Sequence, residues 1–288
     1  MPLPNRFLER ASAPTVPSIR GASVRTAVVT GASSGIGRAT AAALAAHDYR
    51  VIGTSRNSRS VVNPIPGVEY RDLDLASPES VRSFAHGLSE IDVDILVNNA
   101  GESQCGPLEE LPIDALERLF RLNVLGHIEL TQLILPAMRA RRQGRVVFVG
   151  SMLASFPLAF RSSYVASKAA LKGFATAARL ELAPFGIHLT TVEPGSIDTG
   201  LSDRRTKYIS DDSPYREAFT TTVGALDAKE SQGISAERVA RTIVHSATTP
   251  QPKPLYAVGS RAPLVFTARR LLPRRVIESV MAHSYGLG

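Results

Sequence analysis

From Arg25 onward, short apolar runs rich in β-branched residues alternate with longer stretches in which apolar positions recur every three or four residues. The runs Thr26–Thr30, Arg50–Ser55, Val68–Arg71, Ile95–Asn98, Arg145–Gly150, His188–Val192 and Leu255–Val258 read as strands. Helices are expected to begin near Ile36, Pro78, Asp114, Ser163 and Ser235. Strands that alternate with helices need right-handed crossovers, and these give a parallel sheet covered on both faces. The pattern therefore predicts a doubly wound α/β domain whose ligand crevice lies at the carboxyl ends of the strands.

Two of the expected helices, Asp114 to Arg139 and Ser163 to Ala183, carry more apolar residues than one core-facing stripe needs. Leu119, Leu122, Val124, Leu125, Ile128, Leu130 and Leu133 are the clearest case. Such a surplus points either to a second subunit or to burial inside the monomer. The stretch Asp198 to Gly233 is polar and weakly periodic, as expected of a lid or binding loop. Residues 1–24 lack periodicity and read as a flexible arm. Beyond Gly259, arginines at 261, 269, 270, 274 and 275 alternate with Leu264, Val265, Phe266, Leu271, Leu272, Val276 and Ile277. This basic amphipathic extension, residues 261–288, is expected to pack on its own domain or a second subunit, with an interruption at Pro273. Peripheral membrane contact is the lesser alternative.

Composition narrows the classes. The chain has 288 residues, enough for one large domain, and a net charge of +7 spread without a long basic block. Basic residues without a reading module give no support to nucleic-acid binding. One cysteine, Cys105, excludes an internal disulfide and suits the cytoplasm. No run of about 18 apolar residues suggests a spanning helix. The six histidines show no ligand spacing, so no metal site is expected.

Candidate chemistry sits in two places. The first strand runs into Thr30-Gly31-Ala32-Ser33-Ser34-Gly35-Ile36-Gly37 and then a helix. Gly31 permits the tight turn, Gly35 lets backbone approach a pyrophosphate, and Gly37 lets the helix pack closely. The helix N-terminus offers free N–H groups to phosphates. The second place is Ser151 after a strand, with Tyr164 and Lys168 four apart on one helical face. A phenol ionises near ~10, and a neighbouring ammonium favours its phenolate. Tyr164 can then exchange a proton with a carbonyl or alcohol oxygen that Ser151 holds.

These residues are not isolated. TGASSGIG at 30–37, NNAG at 98–101, Asn123, Ser151, YVASK at 164–168 and PGSIDT at 194–199 together resemble the short-chain dehydrogenase/reductase family, over roughly Arg25 to Gly259. The resemblance implies a single Rossmann-type domain over residues 25–260, sheet order 3-2-1-4-5-6-7, and reversible hydride transfer between a nicotinamide cofactor and a carbonyl or secondary alcohol. It implies that Tyr164 is the acid-base, and that Lys168 lowers its pKa and holds the nicotinamide ribose. Ser151 orients the substrate oxygen, and Asn123 holds Lys168 through a water. Asn98, Ala100 and Gly101 would line the adenosine side and Asp74 would meet the adenine edge, with Asp72 the second choice. Pro194, Gly195, Ile197 and Thr199 would embrace the nicotinamide. Gly31, Ser33, Ser34, Gly35, Ile36 and Gly37 complete the cofactor set. A shared helical interface, and so a homodimer or homotetramer, is implied too.

The second strand ends Ser55-Arg56-Asn57, with no acid where an NAD-selective enzyme places one, so NADP(H) is the expected cofactor and Arg56 its phosphate reader. The resemblance places the segment Met152, Leu153, Ala154, Phe156, Pro157, Leu158, Phe160 at the substrate, which implies a largely apolar substrate with Glu102, Ser103 and Gln104 at a polar end; packing of the loop itself is the alternative. Gly-Thr-Ser-Arg after the second strand and the long tail resemble the hydroxysteroid and retinol dehydrogenase-like branch. The alternatives are a cofactor-binding regulator of the same fold, which the complete catalytic set argues against, and a related epimerase or dehydratase.

Overall fold

The computed structural model of the protein describes residues 24–198, 200, 202 and 204–287. Apart from Val24, the expected N-terminal arm lies outside the described residues, and so does Thr199. The chain forms one α/β domain. Seven strands build its sheet: β1 (Thr26–Val29), β2 (Arg50–Ser55), β3 (Val68–Asp72), β4 (Val93–Asn98), β5 (Gly144–Val149), β6 (Ile187–Pro194) and β7 (Leu255–Val258). All pairings are parallel, in the order β3-β2-β1-β4-β5-β6-β7, as the alternation predicts.

Strand parity divides the core into two layers. Val28, Leu96, Val146 and Phe148 face α2 (Pro78–His86), α4 (Gly126–Arg141) and α5 (Ser162–Leu182), where Val81, Phe84, Leu130, Met138 and Leu171 meet them. Their neighbours Ala27, Val29, Ile95, Val97, Val147 and Val149 face α1 (Gly35–Ala45) and α7 (Ala236–Thr248), against Ala41, Leu44, Val239 and Ile243. Each buried Val, Leu, Ile, Phe or Met among them contributes ~1.5–3 kcal/mol of burial. Both cores lie against the sheet and hold its carboxyl edge rigid, which is where the site forms.

The expected Asp114–Arg139 helix is interrupted. Between α3 (Ile113–Phe120) and α4 lies one π-helical turn, Arg121–Leu125. Most of its surplus apolar residues are hidden within the monomer: Leu119, Val124 and Leu130 are buried, and Leu122 and Ile128 pack on the core. Leu125 and Leu133 stay exposed, with Phe174 and Leu180 on α5.

The stretch read as a lid contains a regular helix, α6 (Arg216–Ser231), which buries Phe219, Thr222, Val223 and Leu226. The extension forms α8 (Ala262–Leu271) and α9 (Arg274–Ser284), broken at Pro273 as expected. Val265, Phe266, Ile277 and Met281 turn inward onto Met152 and Phe156, with Phe266 edge-on to Phe156 at 5.2 Å. The extension thus packs on its own domain, and Leu264, Leu271, Val276 and Val280 face outward. No helix among the described residues is long and apolar enough to cross a membrane.

Candidate active site

A cleft of about 990 Å³ runs along the carboxyl ends of the strands, from the β1–α1 turn to the inner face of α8 and α9. At its first end, Gly31 takes φ +68°, and a Cβ there would come within 3.0 Å of Ala100. A Cβ on Gly37 would fall 2.2 Å from the Gly31 carbonyl. Both positions therefore require glycine for close backbone approach. Ser34 caps α1 without spending its side chain, so the first N–H groups of the helix face the cleft beside Ser33, Gly35 and Ile36. Donors held open around a Cβ-free cradle fit a pyrophosphate. Gly37 contributes through packing and does not line the cleft.

Arg56 and Asp74 line the next part. Asp74 Oδ1 also accepts from the Ala76 N–H at 2.9 Å. Asp72 is spent elsewhere: it accepts from the Ser58 N–H at 2.6 Å and shapes the turn after β2. Ala100 and Gly101 line the cleft, but Asn98 does not. Its buried amide donates to Thr131 Oγ1 at 2.9 Å and meets His127 Nδ1 at 3.1 Å, under the cleft floor. The correction follows from strand parity, because successive side chains point to opposite faces. Asn99 takes the expected place, its Nδ2 donating to the Thr30 carbonyl at 2.9 Å.

The proton-transfer candidates converge further along. Ser151, extended after β5, accepts from the Leu153 N–H at 3.2 Å and faces the Tyr164 phenol, whose pKa it helps to lower. Lys168 Nζ donates to the Val149 carbonyl at 2.9 Å and lies 5.9 Å from the Tyr164 ring centroid. Burial draws its pKa down to about 8. Asn123 sits on the π-helical turn and clamps the backbone of Glu102, accepting from its N–H at 2.9 Å and donating to its carbonyl at 3.0 Å. Its Nδ2 also reaches Ser167 Oγ at 3.3 Å. Gly101 passes between Asn123 and Lys168; a Cβ there would meet Asn123 Oδ1 at 3.1 Å and Lys168 Nζ at 3.7 Å. π-Helical turns concentrate at functional sites because they re-aim one side chain.

Among the described residues, the cation closest to the Tyr164 ring is not the expected Lys168. Arg161 lays its guanidinium on the ring, Cζ 4.4 Å from the centroid. Burial pushes the phenol up from its ordinary value, and Arg161 and Ser151 pull against that. Ser103 and Gln104 help hold Arg161. The apolar wall comes from Met152, Leu153, Phe156, Leu226, Val265 and Met281. Leu158 packs on Leu226 and Tyr285, and Phe160 on Phe219. Pro194, Gly195 and Ile197 line the far side.

A family model for the short chain dehydrogenase matches residues 25–209. The chain belongs to this family. As a short-chain dehydrogenase it is an oxidoreductase of a family that uses nicotinamide cofactors, and its relatives agree. It is 33% identical over 272 residues to the oxidoreductase YusZ of Bacillus subtilis, covering 88% of this chain and 96% of that one. It is 36% identical over 203 residues to human retinol dehydrogenase 8, covering 66% of this chain and 64% of that one. A short-chain dehydrogenase structure from Streptomyces avermitilis superposes with a TM-score of 0.78 at 33% identity, over 93% of this chain and 100% of that one. Among the residues that sequence reasoning missed in this dehydrogenase, Asn99 was legible from strand alternation. Arg161 was legible from its i−3 spacing to Tyr164. Val265 and Met281 were not, because only the folded extension brings them to the cleft.

Proposed function

We propose that the protein transfers a hydride between NADP(H) and a carbonyl or secondary alcohol of a largely apolar substrate. The observation that carries this reading is one continuous cleft. It joins the Gly31–Gly37 cradle and Arg56 to Ser151, Tyr164 and Lys168, and closes on an apolar wall. When bound, the nicotinamide supplies or accepts the hydride. The chain does the rest. Ser151 Oγ holds the substrate oxygen, and the Tyr164 phenol gives that oxygen a proton in reduction or takes it in oxidation. Lys168 presents its ammonium to the ribose side, and Asn123 fixes the strand-end backbone between them.

NADP(H) is favoured by Ser55-Arg56 at the end of β2, where a guanidinium can grip a 2′-phosphate. A structural relative at 27% identity, a metagenomic short-chain oxidoreductase, is in complex with NADP. An apolar substrate is favoured by the Met152–Met281 wall and by the names of two relatives, retinol dehydrogenase 8 and 17-beta-hydroxysteroid dehydrogenase type 1. The reading includes a cytoplasmic homodimer or homotetramer. In it residues 25–260 form the catalytic domain, and the extension covers its substrate side.

The purified protein is to be screened with NADPH and NADH against steroid-like, retinoid-like, long-chain and sugar carbonyls, with Tyr164→Phe alongside. NADPH-linked reduction of the apolar set is expected. Tyr164→Phe should lose turnover by at least ~100-fold while still binding cofactor. Wild-type turnover in Tyr164→Phe sinks the proton-transfer assignment, and better kcat/KM on sugars sinks the substrate class.

A further inference from the structure

Arg161 is nearly inaccessible, at 2% exposure, and ends in a costly state for a charged group. Nη1 donates to the Gln104 carbonyl at 2.8 Å and Nη2 to Ser103 Oγ at 2.9 Å. Nε is buried without a partner. The neighbouring carboxylates, Asp227 and Glu230 on α6, are bonded to Arg205, whose Nε leans on the same Ser103 Oγ at 3.5 Å. A methionine or leucine could fill this space without desolvating a charge. The guanidinium instead rests on the face of Tyr164, three residues on from Arg161 at the N-cap of α5, closer to the ring than Lys168 is.

We propose that Arg161 is a positioning residue for Tyr164: its guanidinium, laid on the ring, supplies the fixed positive charge that favours the phenolate. This rests on the reading of Tyr164 as the proton-transfer group. Among the described residues, the charged and titratable groups that face the phenol are Arg161 from the N-cap of α5, Lys168 from α5 itself, Glu230 from α6 and Arg205 from the segment before α6. Ser151 adds a hydroxyl from the end of β5. Burial raises the phenol, Arg161 is the largest counterweight, Ser151 and Arg205 add to it, and Glu230 opposes it. Lys168, brought down to about 8 by burial, loses its charge in the range where a phenol ionises. Burial lowers the Arg161 guanidinium too, but it starts far higher than an ammonium and keeps its charge there. The two cations thus divide the work. Lys168 is placed for the ribose and the strand-end carbonyl, and Arg161 for the ring.

The test is a direct titration of Tyr164 in the full-length protein. Fluorotyrosine, whose phenol ionises nearer neutrality, replaces tyrosine, and the fluorine resonance lost in Tyr164→Phe assigns the signal. Arg161→Gln should raise the titration midpoint by about one unit or more, and Arg161→Lys should fall between it and wild type. A midpoint unmoved in Arg161→Gln overturns the proposal. So does an Arg161→Lys shift as large as that of Arg161→Gln, which would point to packing rather than charge. If Arg161→Gln does not fold, Arg161→Met, which fills the space without a charge, takes its place, and a wild-type midpoint there overturns the proposal. Turnover of Tyr164→Phe reports separately on the proton-transfer reading, because the titration needs no activity.

Discussion

Arg56 stands exposed on the cleft wall at the end of β2, one residue past Ser55. In register with Ser55 on the neighbouring strand is Asp72. Its carboxylate accepts from the Ser58 N–H, which holds it ionised and below the usual carboxylate range, with Arg59 nearby. The acid thus folds the turn that presents Arg56. A charge-assisted contact is worth ~1.5–3 kcal/mol, so Arg56→Ala should weaken NADPH by about ten-fold to a hundred-fold and leave NADH nearly unchanged. Ser55→Asp should go further and shift preference toward NADH, by repulsion as well as by a ribose acceptor. Dissociation constants for both cofactors on the three proteins decide it, and equal losses for NADPH and NADH in Arg56→Ala show that Arg56 does not read the phosphate. At this scale the sequence was informative where chemistry is local. The glycine turn and the Tyr164–Lys168 spacing are set by one turn or one helix. Asn98 was misplaced because two adjacent asparagines look alike until strand parity sends one under the floor and the other to the cleft. The partners of Arg161 were hidden because Ser103 and Gln104 lie far from it in sequence.

Among the elements, α4 shows how packing around the site carries its own pH dependence. His127, in its first turn, is fully buried, with Nε2 2.7 Å from the Ala100 carbonyl and Nδ1 3.1 Å from Asn98 Oδ1. It ties the helix to the loop that borders the cofactor cleft. Burial, the largest influence, brings its pKa from 6.5 down to about 3; the Ala100 carbonyl opposes this and the Lys168 charge adds to it. The folded chain therefore keeps the ring neutral, while the unfolded chain takes up a proton below 6.5. Stability from this residue is complete above pH 6.5 and is lost as pH falls toward 3, by up to ~5 kcal/mol. Denaturant unfolding between about pH 7 and about pH 4 should show that fall in wild type and a shallower one in His127→Gln. Equal slopes would assign the loss to carboxylates instead. The strands and most helix starts were legible because their apolar periods are long and regular. Helix α6 was not. Its buried set, Phe219, Thr222, Val223 and Leu226, has helical spacing, but a threonine stands in the stripe and Thr220–Thr222 argues for extended chain. The π-helical turn under Asn123 leaves no mark in a hydrophobic pattern, since one extra residue shifts the period only locally.

At the scale of the whole molecule, the two ends of the cleft are built from different parts of the chain. The proposed cofactor end comes from β1, β2 and β4, whose motifs are contiguous. The proposed substrate end is closed by α6, α8 and α9, which come from the C-terminal part of the chain and meet the cleft only through tertiary packing. The faces left over bear on assembly. Leu125 on the π-helical turn, Leu133 on α4 and Phe174 and Leu180 on α5 remain exposed after the core is filled. Light scattering should therefore return a mass at least twice 30.8 kDa, with Leu133→Glu and Phe174→Glu together driving the protein toward monomer. A wild-type monomer at micromolar concentration would reject this assembly. The inner faces of α8 and α9 make a separate prediction. Val265 and Met281 turn into the cleft opposite Met152 and Phe156, and Phe266 locks α8 onto Phe156. If these walls hold an apolar substrate, polar replacements should cost the burial of one side chain against it. That is ~1.5–3 kcal/mol for each position, or about ten-fold to a hundred-fold in kcat/KM. Val265→Ser and Met281→Gln should therefore depress kcat/KM for long-chain or steroid-like ketones, chiefly through KM. NADPH affinity should hold, because neither residue approaches the Gly31–Gly37 cradle or Arg56. A small, compact ketone that never touches the extension serves as the internal control and should react at nearly the wild-type rate. Equal losses for the large and the small ketone would mean that the extension only braces Ser151, and that the apolar wall does not select the substrate.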